Sequence, residues 1–229
     1  MVEVSERIKA MESQIEAALW DSEVHEDLEK ALIVYEDAES KLEALGIDAD
    51  NPAYPEQQRV LSYCLMRQGN ILRQLKKPQE ALELGKREIA AARAAGDRIT
   101  LGRSLMSNGT NLIVAGKMDQ GLNLLDDAQQ VFAKGDSYDH KQGLGWFWIL
   151  QADLANAGLI EKEPTEVIEI ATRALEILTP IENWPGVARG YSARSIARKK
   201  LGDVEGVEQD RQAQKVYQSK INPEDERAS

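Results

Sequence analysis

Only two histidines occur among the 229 residues, so acid–base or metal chemistry would have to start from His25 or His140. His25 stands four residues before Glu29, which places both on one helix face. Asp136, Asp139 and His140 fall close together in a turn-forming stretch. Two or three donors hold a divalent ion only when the fold completes the set, and neither histidine has a partner at ligand or triad spacing. The single cysteine, Cys64, excludes an internal disulfide and lies in a helical pattern, where it reads as a small buried hydrophobe. There is no glycine-rich phosphate loop, no nucleophile elbow and no CxxC. Neither catalysis nor a cofactor nor a metal is expected.

The remaining chemistry lies in charge. The net charge is −11, and its placement is uneven. Residues 1–56 carry four Lys and Arg against sixteen Asp and Glu, while the rest of the chain is nearly balanced. From Gln57 to Lys77 there are five basic residues (Arg59, Arg67, Arg73, Lys76 and Lys77) and no acid. From Val187 to Leu201 there are again five (Arg189, Arg194, Arg198, Lys199 and Lys200) and no acid. Every charged residue between Arg98 and Lys117 is basic. Such runs either sit on solvated helix flanks or converge on one surface, where they would concentrate an acidic ligand. An acidic chain lacks the phosphate-neutralising surplus that nucleic-acid binding needs. No apolar run approaches a membrane span and no leader opens the chain, so a cytoplasmic protein with no membrane contact is expected.

Those charges are positioned by a repeated spacing. Leu65, Gly69, Leu72 and Ala81 recur as Leu105, Gly109, Leu112 and Gly121, with the same three offsets. Steps of four and three residues return to one helix face. A glycine inside a helix costs roughly 0.5–1 kcal/mol relative to alanine, so two in register require a packing reason. Close approach of the following helix supplies one, with Ala81 or Gly121 as the facing small residue. Gly96-Asp97 and Gly135-Asp136 read as a helix-ending glycine followed by the N-cap of the next helix. Pro78 suits a first helical turn.

This spacing resembles the tetratricopeptide repeat, whose first helix carries W-x2-L-G-x2-Y and whose second begins with a small residue. Ala31, Tyr35 and Ala38 match the second-helix A-x3-F pattern. The small positions at 69, 109 and 152, then 194 or 195, lie 40 to 43 residues apart, as in the longer repeats of kinesin light chains, LGN-type adaptors and MalT-like regulators. The resemblance implies an all-α, right-handed superhelical α-solenoid of about five antiparallel helix pairs, ten helices in all. Repeats are expected at about 5–46, 54–96, 97–135, 137–181 and 184–220 of a single domain spanning 1–229. The first of them joins a helix near Ser5–Trp20 to one near 24–45. A frayed tail is expected at 222–229.

In that family the first helix of each pair lines a concave groove. The resemblance therefore assigns to the groove Tyr63, Met66, Arg67, Asn70 and Arg73 in the second repeat and Arg103, Met106, Thr110 and Ile113 in the third. Trp146, Ile149 and Asp153 follow in the fourth, then Tyr191, Ser195 and Arg198 in the fifth. Trp146, Met106 and Ile149 read equally as core between repeats. The family variant that grips a C-terminal carboxylate needs polar or basic residues where Met66, Trp146 and Leu150 stand, so that specific clamp is not expected. The preferred expectation is a non-enzymatic scaffold that binds an acidic segment of a partner protein, with Arg67, Arg73 and Arg103 converging on it. Two alternatives stay open: a domain that senses a small ligand or peptide, and a homo-oligomer in which the acidic first repeat of one copy docks on the basic groove of another.

Overall fold

The computed structural model describes residues 2–23 and 25–221. The expected tail at 222–229, and Val24 at the start of the expected second helix, lie outside the described residues. Ten α-helices and no strands occur among the described residues. They are α1 (Val2–Ala18), α2 (Leu28–Glu43), α3 (Tyr54–Gln74), α4 (Pro78–Ala95), α5 (Arg98–Val114), α6 (Met118–Phe132), α7 (Tyr138–Asn156), α8 (Pro164–Leu178), α9 (Trp184–Leu201) and α10 (Val204–Ser219). A π-helical turn, Leu19–Glu23, continues α1. The chain divides into two compact units, Met1–Ala128 and Gln129–Ser229, with the division inside α6.

Local chemistry sets the boundaries. Gly96 ends α4 in the left-handed region at φ 70°, and Asp97 accepts from the backbone N–H of Ile99 and Thr100 to start α5. Gly202 (φ 77°) and Asp203 repeat the device before α10, where Asp203 accepts from Gly206 N at 2.9 Å. Pro78 opens α4 as expected. At α7 the cap differs from the sequence reading. Ser137, not Asp136, caps the helix, and Asp136 pairs with Lys141 at 2.8 Å.

In the first unit, Ile8, Ile15, Ala31, Tyr35, Ala38, Leu42, Val60, Cys64 and Ile71 are fully buried in one core. The Ala31, Tyr35 and Ala38 pattern is thus the buried face of α2. Cys64 donates to Tyr35 O at 3.1 Å, and burial pushes its thiol up to about 12, which leaves it without thiolate reactivity at neutral pH. The paired small residues meet as expected at α5 and α6. A Cβ at Gly109 would lie 2.9 Å from Gly121 O and 2.8 Å from Leu125 Cδ2. The corresponding contact at α3 differs. A Cβ at Gly69 would meet only Asn111 Nδ2 of α5, at 3.5 Å, so Gly69 opens space toward the next first helix and not toward Ala81.

In the second unit, Ala152, Ala155, Val167, Ala171, Ala193 and Ala197 let α7, α8 and α9 pack closely. A neighbouring cluster joins Ile149, Ala174, Leu175, Leu178 and Val187.

Candidate functional site

The first helices of the first unit carry the half-buried row that the repeat spacing picks out. Tyr63, Met66 and Asn70 on α3, and Arg103 and Met106 on α5, are each half-buried. Burial holds the Tyr63 phenol above its ordinary pKa, opposed first by the charge of Arg67. Ser62 Oγ and Ser104 Oγ meet at 2.9 Å beneath them and lock α3 to α5. Thr110, expected on the open face, is buried and donates to Met106 O at 2.9 Å.

The basic residues are distributed differently from the sequence expectation. Arg67 makes a two-pronged ion pair with Glu23: Nε to Oε2 is 3.1 Å, and Nη2 to Oε1 is shorter still. Tyr35 donates its hydroxyl to the same carboxylate at 2.9 Å. Arg59 grips Glu12 through both terminal nitrogens at 2.7 Å. Arg87 of α4 reaches Glu39 and Glu43. Glu12, Glu23, Glu39 and Glu43 of the first repeat are therefore paired with arginines of the second, within one chain. The expected convergence of Arg67 with Arg73 and Arg103 on a ligand is not formed, because Glu23 already occupies Arg67.

Arg73 stands apart. Its Nη1 donates to Asn111 Oδ1 at 2.7 Å and its Nη2 to Asn70 Oδ1 at 3.1 Å. Burial lowers the tendency of this guanidinium to hold its proton, and the charge of Glu88 is the first to oppose that effect. Glu88 sits on α4 with only 1% of its surface exposed. It accepts from Asn108 Nδ2 at 2.9 Å and from Ser107 Oγ at 3.3 Å, while its Oε1 has no partner among the described residues. Burial pushes its pKa up to about 8, against hydrogen bonds from Ser104, Asn108 and Ser107 and the charge of Arg73, all of which pull it down. The polar residues that precede the small positions on α3 and α5 thus share one role: Gln68 donates to Glu39 at 2.5 Å as Asn108 does to Glu88.

In the second unit the candidates belong to packing contacts. Ile149 is core, and Trp146 packs partly against the same cluster. Asp153 receives Arg189 Nε at 3.0 Å and Nη2 at 2.9 Å, and burial raises its carboxyl pKa. On α9 the expected inward row faces α10 instead. Tyr191 stacks on Tyr217 with centroids 5.7 Å apart, Ser195 is buried, and Arg198 donates to Gly206 O at 2.8 Å and pairs with Asp210 at 3.2 Å. Arg194 also grips Asp210, which is 1% exposed. Asp210 gathers two arginines of α9, and this fixes the rotation that the ambiguous register left open.

Sequence reasoning missed Glu23, Glu88, Asn111 and Asp210. Glu88 carried a signal, since it continues the buried Ala81, Gly85, Ala92 stripe of α4 at helical spacing. Glu23 carried none, because its partner is 44 residues away. The two histidines stay local: His25 Nδ1 meets Trp20 O at 2.9 Å and His140 Nδ1 meets Ser137 Oγ at 2.8 Å. Among the described residues no helix is long and apolar enough to cross a membrane.

No protein-family model matches the chain, and no curated protein sequence matches it. Solved structures do. A Podosopora anserina protein described as a kinesin light chain with nearly identical TPR-like repeats is similar at a TM-score of 0.53 and 14% identity, over 94% of this chain and 98% of that one. BtubC (BKLC) from P. vanneervenii is similar at a TM-score of 0.56 and 12% identity, over 96% of this chain and 92% of that one. With helix pairs recurring about every forty residues and small residues at the contact of α5 with α6, the chain has the all-α fold of TPR-like repeat arrays.

Proposed function

We propose that this protein is a non-enzymatic interaction scaffold that holds an extended segment of a partner protein along the first helices α3 and α5. The observation that carries the reading is that Tyr63, Met66 and Asn70 on α3, and Arg103 and Met106 on α5, are half-buried on two first helices joined at Ser62 and Ser104. Methionines adapt to varied apolar side chains, while tyrosine, asparagine and arginine supply hydrogen-bonding groups. The fold shared with the TPR-like structures supports this reading. Glu12, Glu23, Glu39 and Glu43 of the first repeat are already paired within the chain and so do not contribute to the self-association alternative.

The test is affinity capture with wild type and with Met66→Lys combined with Met106→Lys. These positions are half-buried, so thermal melts must first show that the variant folds. A partner retained by wild type and lost by the folded variant is the expected result. Equal capture by both would overturn the assignment of this face.

A further inference from the structure

Two unmet demands coincide between α3 and α5. Asn111 is 1% exposed, and its Nδ2 is a buried donor with no acceptor among the described residues. Its Oδ1 is held by Arg73 at 2.7 Å, so the amide orientation is fixed and the free N–H group lies beside the guanidinium. Arg73 is a cation with no carboxylate at ion-pair distance among the described residues; its two hydrogen bonds go to neutral amide oxygens. A guanidinium has five N–H donors, so three remain. Gly69 completes the arrangement, because the position where its Cβ would stand is 3.5 Å from Asn111 Nδ2 and is left open.

A donor lacking an acceptor beside a cation lacking an anion is a deficit of one kind. A water could satisfy the amide but would leave the guanidinium uncompensated. Glu88 makes no ion pair with Arg73 among the described residues, its carboxyl being held by Asn108 and Ser107. Glu23 is committed to Arg67. We propose that Arg73, Asn111 and Asn70 form a carboxylate-binding site at the α3–α5 seam, with Gly69 as the clearance that admits the anion. This inference rests on the scaffold reading for its biological source: the carboxylate would be an Asp or Glu side chain of the bound segment. The same chemistry would accept a free small carboxylate.

The test uses the purified chain, labelled with nitrogen-15, in two titrations at constant ionic strength with sodium chloride as reference. One arm adds a tri-glutamate peptide and the other adds sodium acetate. Saturable shifts of the Asn111 and Asn70 side-chain amides and the Arg73 Nε–H signal are expected with the peptide. Saturation by acetate at equal affinity would support the site and assign it to small free carboxylates. Absence of saturable shifts in both arms overturns the proposal.

Arg73→Gln should weaken peptide binding about 30-fold or more, as when one member of a desolvated charge pair is removed. Gly69→Ala makes only an ordinary van der Waals contact and should fold normally, yet its methyl group obstructs the free N–H and should weaken binding. Unchanged peptide affinity in both variants also overturns the proposal. If Arg73→Gln still captures the partner that Met66→Lys with Met106→Lys loses, the carboxylate site fails while the scaffold stands.

Discussion

Replacing Glu88 by glutamine tests the buried polar centre of the first unit directly. Glu88 on α4 is fully enclosed by α5 donors and has Arg73 as its charged neighbour. Because the folded protein binds this proton more tightly than the unfolded chain does, the contribution of Glu88 is fully present below pH 4.5. It is lost as pH rises to about 8. At about 1.4 kcal/mol per tenfold step in acidity, a carboxyl held at about 8 instead of 4.5 costs the fold on the order of 5 kcal/mol above pH 8, and about 3 kcal/mol at pH 7. Glutamine never ionises and keeps an acceptor oxygen for Asn108 and Ser107. Its amide hydrogens add a cost that is constant with pH, because they do not titrate in this range. Urea unfolding of wild type and Glu88→Gln, followed by circular dichroism between about pH 5 and pH 9, should show the variant gaining relative stability by about 1.4 kcal/mol per pH unit, then a plateau above about pH 8. A gap that stays constant across that range would refute the reasoning. It would mean that Glu88 titrates as an exposed carboxyl, or is ionised throughout against Arg73.

The glycine contacts and the buried ion pair give two further expectations. Gly109→Ala should destabilise by about 1–2 kcal/mol, since overpacking against Gly121 O and Leu125 exceeds the helix-propensity gain, whereas Gly69→Ala should be neutral or stabilising by up to about 1 kcal/mol. Thermal melts that move both variants the same way would contradict the packing described. Glu23→Gln should cost about 3 kcal/mol by leaving Arg67 buried without its counter-charge, and a loss below about 1 kcal/mol in urea titrations would show that the pair behaves as a solvated one.

The sequence by itself determined the helical elements and most of their limits, because these depend on neighbours within one turn. Gly96 with Asp97 and Gly202 with Asp203 end one helix and cap the next through their own backbone and side-chain geometry. Ala31, Tyr35 and Ala38 face the core because their spacing returns to one side of α2. The Gly109 and Gly121 pair was likewise legible, since only small residues allow two helix backbones to approach so closely. Tertiary structure decided which partner each polar side chain found. Periodicity states the side of its own helix on which a residue lies, but the rotation and axial offset of the next helix determine what meets it. That offset sets Gly69 against Asn111 instead of Ala81, brings Glu23 to Arg67 across 44 residues, and turns Arg194 and Arg198 onto Asp210. The run of five arginines and lysines on α3 and the turn that follows it was visible in the sequence as charge. Only the packed helices engaged Arg59 and Arg67 with acids of the first repeat and held Arg73 between two amide oxygens.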